Sequence, residues 1–246
     1  MIETFAALIF AHVLADFVFQ PNWMVARKRE VKVLAAHGAV VLATAVAATG
    51  SLDPGLFWLA AVHVAIDALK ARGGRGLRTF LLDQAGHLAV LVALAYGRPE
   101  IWANGFWANG IWDGLDALPG LMALLAGAII ATRAGGFAVG LLMAPFAAHL
   151  PADISAESLP GAGRVIGQLE RGLIFALVLL GQPQGVGLLI AAKSILRFGA
   201  VRDDRALSEY VIIGTLASFG WALVAAYSTI ALMSALPPLG FLPVTP

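Results

Sequence analysis

The chain has 246 residues, a formal net charge of +1, 60% hydrophobic residues and only 13% charged ones, with a mean hydropathy of +0.85. A soluble domain carries about 25% charged residues, so this composition excludes an ordinary water-soluble globule and points to an all-α polytopic membrane protein. The absence of cysteine excludes disulfides, thiolate metal sites and cysteine nucleophiles, and no basic stripe marks a nucleic-acid surface.

Taken in order, the apolar runs predict about eight transmembrane helices: four in 1–97, then an external loop at 98–117, one long or broken helix in 118–150 and three helices in 151–246. The first span is expected from about Ile2 to Gln20. No charged leader or small-residue cleavage site accompanies it, so it reads as a retained span. Arg27, Lys28, Arg29 and Lys32 fill the following linker, and Trp23 stands where an interfacial aromatic would. Span two is expected over Val33–Thr49, followed by a tight turn at Ser51-Leu52-Asp53-Pro54-Gly55. Span three covers Leu56–Leu69, and Lys70, Arg72, Arg75 and Arg78 lie in the loop after it. Span four covers Phe80–Tyr96. Basic loops face the cytoplasm, which places the loops after spans one and three inside and the N-terminus outside.

A polar loop with Trp102, Trp107 and Trp112 comes next and reads as an interfacial cap. Leu118–Leu150 is apolar but interrupted by Arg133-Ala134-Gly135-Gly136. Arg197, Arg202 and Arg205 reach the cytoplasmic side only if this run crosses once, so one long or broken helix is expected there. A loop at 151–163, span six over Arg164–Gly181, span seven over Gly185–Phe198 and span eight over Glu209–Leu236 complete eight crossings, with both termini outside.

Chemistry concentrates in the N-terminal region. His12-x3-Asp16 and His63-x3-Asp67 each put a histidine and a carboxylate on one helical face. Each is followed by a second span carrying a histidine near its start, His37 and His87, the latter with Asp83 before it. The pattern reads as a duplicated helical hairpin, giving a four-helix N-terminal part and a separate C-terminal helical part. At about 1.5 Å rise per residue, all seven groups fall in one layer near the cytoplasmic face. Ionisable groups in a bilayer cost about 2.5–3.5 kcal/mol each and so pair or serve a function.

Four imidazoles and three carboxylates suit a divalent transition metal, zinc or iron first, as one ion or two, with haem less fitting. The expected ligands are His12, Asp16, His37, His63, Asp67, Asp83 and His87, with Asp16, Asp67 and Asp83 also candidate catalytic bases. The other readings are an ion- or proton-coupled transporter using the same groups, and buried pairs that only fix helix packing. In the C-terminal part, Arg164, Arg171, Lys193 and Arg197 are candidates for binding a phosphate or an anionic lipid headgroup. The alternative there is interhelical pairing of Lys193 with Glu170 or Glu209. His149 is expected at the interface.

His12-x3-Asp16-Phe17 with Gln20 and Trp23, His37-Gly38, His63-x3-Asp67, and Asp83-Gln84 with His87 resemble the N-terminal part of the bacterial membrane proteins catalogued as domain of unknown function 3307. Gly163-Arg164, Leu169-Glu170-Arg171, the 191–198 segment around Lys193-Ser194, and Glu209-Tyr210 with Gly214 resemble a C-terminal portion found in many members. The resemblance implies a bacterial inner-membrane protein and supplies no activity.

Overall fold

The structure is a computed structural model. It describes residues 1–74, 76–110, 115–148, 159, 161–201 and 205–240, with the backbone alone for 196–201. The expectations for Arg75, Trp112, His149, Arg202 and the loop at 151–158 lie outside the described residues, as does that for the Arg197 side chain.

Every regular element among the described residues is helical. The chain divides into two units, Met1–Ile129 with Ala231–Gly240, and a second unit that takes in the described residues of Ile130–Ile230. Four helical stretches are long and apolar enough to cross a membrane: Val31–Thr49, Leu77–Gly97, Leu115–Ala147 and Arg205–Met233.

In the first unit α1 (Ile2–Phe17) is followed by the short α2 (Asn22–Ala26), a helical turn inside a stretch expected to be plain linker. α3 (Val31–Thr49), α4 (Pro54–Lys70) and α5 (Leu77–Gly97) complete two hairpins. α6 (Phe106–Asn109) lies in the tryptophan-rich loop, and α7 (Leu118–Ile129) closes the set. α1 packs against α3, α5 and α7, while α4 packs between α3 and α5. With 16 and 17 residues, α1 and α4 rise only about 24–26 Å, short of the ~30 Å hydrocarbon core.

The helix ends opposite the histidines are tied together by local chemistry. Gly50 ends α3 at φ 62°, a left-handed conformation that glycine adopts without a Cβ penalty. A Cβ there would also meet Trp107 at 2.7 Å, because Phe106 N–H donates to the Gly50 carbonyl at 2.7 Å. Asp53 caps α4 by accepting from Gly55 N–H at 2.7 Å, with Pro54 at the first helical position. The Arg98 guanidinium clamps both Asp53 oxygens at 3.0 and 2.8 Å. Partial burial raises the Asp53 pKa, but Arg98 and the Gly55 amide outweigh it and hold the carboxyl below its usual range. Thr4 donates to the Pro99 carbonyl at 2.8 Å and accepts from Trp102 N–H at 3.2 Å, which fastens the loop to the start of α1.

Small residues draw the helices together. Ala7, Ala11, Ala45, Ala48 and Ala95 line the core with Leu8, Leu56, Leu59, Leu91 and Leu94. Large apolar groups such as Phe57, Trp58, Leu82, Val92 and Tyr96 stand exposed on the outside. Imidazoles and carboxylates are buried within while these large apolar groups stand outside, the distribution that suits a lipid-facing bundle.

The second unit contains the π-helical turn Ile130–Ala134, α8 (Gly135–Ala147), α9 (Ala162–Leu179), α10 (Gln184–Val201) and α11 (Arg205–Met233). The π turn falls where Arg133-Ala134-Gly135-Gly136 interrupts the apolar run. Wide i→i+5 turns leave carbonyls without helical partners. Trp221 Nε1–H donates to the Ile130 carbonyl at 2.9 Å, and Arg171 takes the next two.

The α3–α4 contact yields a test. A Cβ on Gly38 would lie 2.7 Å from Val64 Cγ2, whereas one on Gly86 meets Ile66 no closer than 3.8 Å. Gly38→Ala is expected to cost about 1–3 kcal/mol through overpacking, read by thermal denaturation in detergent. Gly86→Ala is expected to be neutral or stabilising, since alanine gains up to about 1 kcal/mol over glycine in a helix.

Candidate metal centre

The seven residues singled out in the sequence converge in the first unit. His12 and Asp16 stand on the C-terminal half of α1, and His63 and Asp67 on that of α4. His37 stands on the first half of α3, and Asp83 and His87 on that of α5. α1 and α4 run the same way and α3 and α5 the other, so all seven fall in one layer. Six are classed as buried in that core, among them His37 and Asp67 at 0% exposure, and the Asp16 side chain is 6% exposed.

Four donor atoms form the centre. His37 Nε2 lies 3.1 Å from His63 Nε2, 3.2 Å from Asp16 Oδ1 and 3.3 Å from Asp67 Oδ2. His63 Nε2 lies 3.1 Å from Asp16 Oδ1 and 3.8 Å from Asp67 Oδ2. A tetrahedral metal with ligands at 2.0–2.2 Å spaces its donors roughly 3.3–3.6 Å apart. Five edges of this four-atom set bracket that spacing. Two imidazole nitrogens facing each other and the same carboxylate have more acceptor capacity than protons to fill it, because a neutral imidazole carries one N–H.

The other groups surround this set. His12 Nε2 lies 4.0 Å from Asp16 Oδ2 and 3.3 Å from Gln84 Oε1, its ring stacked on His87 at 5.1 Å between centroids. The Gln20 amide lies 3.0 Å from His37 Nε2, and Gln84 Nε2 donates to Asp83 Oδ2 at 3.0 Å. His87 Nδ1–H donates to the Asp83 carbonyl at 2.9 Å.

Two lysines complete the charge balance, and sequence reasoning took both for loop charges. Lys28 Nζ donates to both Asp67 oxygens at 2.8 Å. Lys70 Nζ donates to Asp83 Oδ2 at 2.6 Å. The signal for them lay in the three buried carboxylates, which need cations from whichever end of the helices is nearest. With neutral imidazoles, three carboxylates and two ammonium groups leave one negative charge.

The cations of the second unit are held differently. Arg171 is buried at 3% exposure. Its Nε–H donates to the Ala131 carbonyl at 3.0 Å, Nη2–H to the Thr132 carbonyl at 2.9 Å and Nη1–H to Ser218 Oγ at 3.0 Å. Gly136 and Gly167 make room, since a Cβ on either would come within 3.2 Å of the guanidinium. Lys193 Nζ pairs with Glu170 Oε2 at 2.7 Å, and Arg164 is exposed. Arg164, Arg171 and Lys193 are thus not gathered on one ligand position.

These features define a helical chain with four stretches long and apolar enough to cross a membrane and an enclosed histidine–aspartate cluster. Residues 4–105 match the model of a family described as Protein of unknown function (DUF3307). Every cluster residue, with Gln20, Lys28, Lys70 and Gln84, lies inside the matched segment. No curated protein and no solved structure matches the chain.

Lys28 provides a direct check on the charge balance. Lys28→Met leaves the fully buried Asp67 without its ammonium partner, and removing one member of a buried pair costs about 3–5 kcal/mol. The expected result is a lower melting temperature for the variant in metal-free detergent solution, restored by Asp67→Asn in the double mutant.

Proposed function

We propose that the chain is a multi-pass protein of a bacterial inner membrane whose N-terminal helices hold a divalent transition metal ion, zinc or iron, through Asp16, His37, His63 and Asp67. The observation that carries this reading is the convergence of His37 Nε2, His63 Nε2, Asp16 Oδ1 and Asp67 Oδ2 at separations of 3.1–3.8 Å. Imidazole and carboxylate donors suit such ions, and the inner faces of α1, α3 and α4 supply them. His12 lies beside Asp16, and Gln20 and Gln84 bring amides to the edge of the set.

The eight-span topology, with two histidine–aspartate hairpins as a duplicated unit and both termini outside, belongs to this reading. It places the cluster at the depth of the cytoplasmic headgroups. The activity we assign is metal-dependent chemistry on an anionic substrate in that layer, a lipid phosphate being the natural class, with Lys28 and Lys70 as the nearest cations. A bound ion would supply a water of lowered pKa or polarise a phosphoryl oxygen. Asp16, Asp67 and Asp83 are the groups that would hold or accept a proton beside it.

A second reading, an ion- or proton-coupled transporter, is favoured by Lys28 and Lys70. They already balance two of the three carboxylates, so one proton on an imidazole would bring the cluster to neutrality.

Metal content separates the two. Protein purified without chelators from metal-replete cells is expected to carry about one or more divalent ions per chain, and His63→Gln to lose them. Metal-free wild-type protein that takes up no added zinc, iron or manganese would remove the metal reading. Lys28→Met is expected to regain its stability on metal loading, because the ion replaces the lost cation.

A further inference from the structure

Three buried polar atoms in and beside the four-atom set have no hydrogen-bond partner among the described residues, His37 Nδ1, Asp83 Oδ1 and His87 Nε2, and the last two lie together outside that set. Both side chains are 2% exposed. The state of His87 follows from its other nitrogen. Nδ1 lies 2.9 Å from the Asp83 backbone carbonyl, which can only accept, so Nδ1 carries the proton and neutral His87 presents a lone pair at Nε2. Asp83 Oδ1 is likewise an acceptor, its other oxygen being bound by Lys70 and Gln84. Lys70 is bound to the other Asp83 oxygen and His87 Nδ1 stands 3.7 Å from Asp83 Oδ1, so each of these enclosed acceptors is left without a hydrogen bond, which is costly.

Asp67 supplies the third donor, since one ligand atom each of Asp67, Asp83 and His87 lie within 4.8 Å of one another. We propose that Asp83, His87 and Asp67 form a second divalent-cation site, and that the Asp67 carboxylate stands between the two ions. This rests on the first site being a metal site. The donor set of one imidazole and two carboxylates suits manganese, iron or zinc. The backbone carbonyl that fixes His87 is the type of partner that orients ligating histidines.

Charge dictates a consequence. Three carboxylates with two divalent ions and both lysines in place would carry a net charge of +3 in an apolar surround, so loading displaces ammonium groups or draws in an anion. Lys28 and Lys70, at 12% and 30% exposure, are the more exposed members of their pairs and the ones with room to leave. Each lysine therefore competes with an ion for its carboxylate.

Manganese(II) titration of detergent-solubilised full-length protein, followed by electron paramagnetic resonance, tests the site. Free ion is counted from its signal, and ions sharing a carboxylate at about 3.5–4 Å couple magnetically. Wild-type protein is expected to bind two equivalents, with the second altering the signal of the first. Asp83→Asn and His87→Gln are expected to bind one, uncoupled, and Lys70→Met to bind the second ion about three- to tenfold more tightly. One equivalent in the wild type, or two that persist in both variants, would overturn the second site and leave the first standing. No bound ion at all would overturn both. The wild-type count decides even if a variant fails to fold.

Discussion

Three carboxylates stand inside an apolar helix bundle, and the arrangement around them follows from the need to neutralise each where it stands. A bare carboxylate in a medium of low dielectric is too costly to persist. Asp67 is met by Lys28 and His37, Asp83 by Lys70 and Gln84, and Asp16 by His37 and His63. The lysines reach in from the cationic end of the bundle, while the imidazoles come from within. Removing any one member shifts its charge onto the others, so the cluster behaves as one unit rather than as separate pairs.

Precision in that layer depends on helix separations set elsewhere. Alanines along the core and Gly38 beside Val64 bring α3 and α4 close enough for His37 and His63 to touch. The opposite ends are pinned by Asp53–Arg98, by Thr4 on the loop at Pro99–Trp102, and by Phe106 and Trp107 on the end of α3. The second unit meets the same difficulty, a buried charge, with a different device. Arg171 is satisfied by carbonyls that the π turn at Ile130–Ala134 releases and by the Ser218 hydroxyl. Backbone dipoles there take the part that carboxylates take beside Lys28 and Lys70.

The helical membrane class and the members of the cluster were legible from the sequence, because His-x3-Asp on an apolar helix has one geometric meaning and needs a compensating partner. The interruption at Arg133-Ala134-Gly135-Gly136 also marked a real feature, the π turn, although its nature depended on Arg171 and Trp221 far along the chain. Lys28 and Lys70 were hidden because a topology rule treats every loop lysine as a cytoplasmic marker, whereas these two reach back into the bundle. Arg171 was expected among the headgroup-binding cations, and what it meets is the Ser218 hydroxyl and backbone carbonyls that no side-chain pattern reveals. The Glu170–Lys193 pair is one of the two interhelical pairings expected as the alternative to an anion site.

The central claim is that Asp16, His37, His63 and Asp67 share one ion. X-ray absorption at the metal edge of the purified wild-type protein tests it most directly. The account predicts nitrogen and oxygen ligands at about 2.0–2.2 Å with the outer-shell scattering of two or more imidazoles, and a reduced imidazole contribution in His37→Gln. A metal-free sample, or a bound metal whose spectrum shows no imidazole, would contradict it.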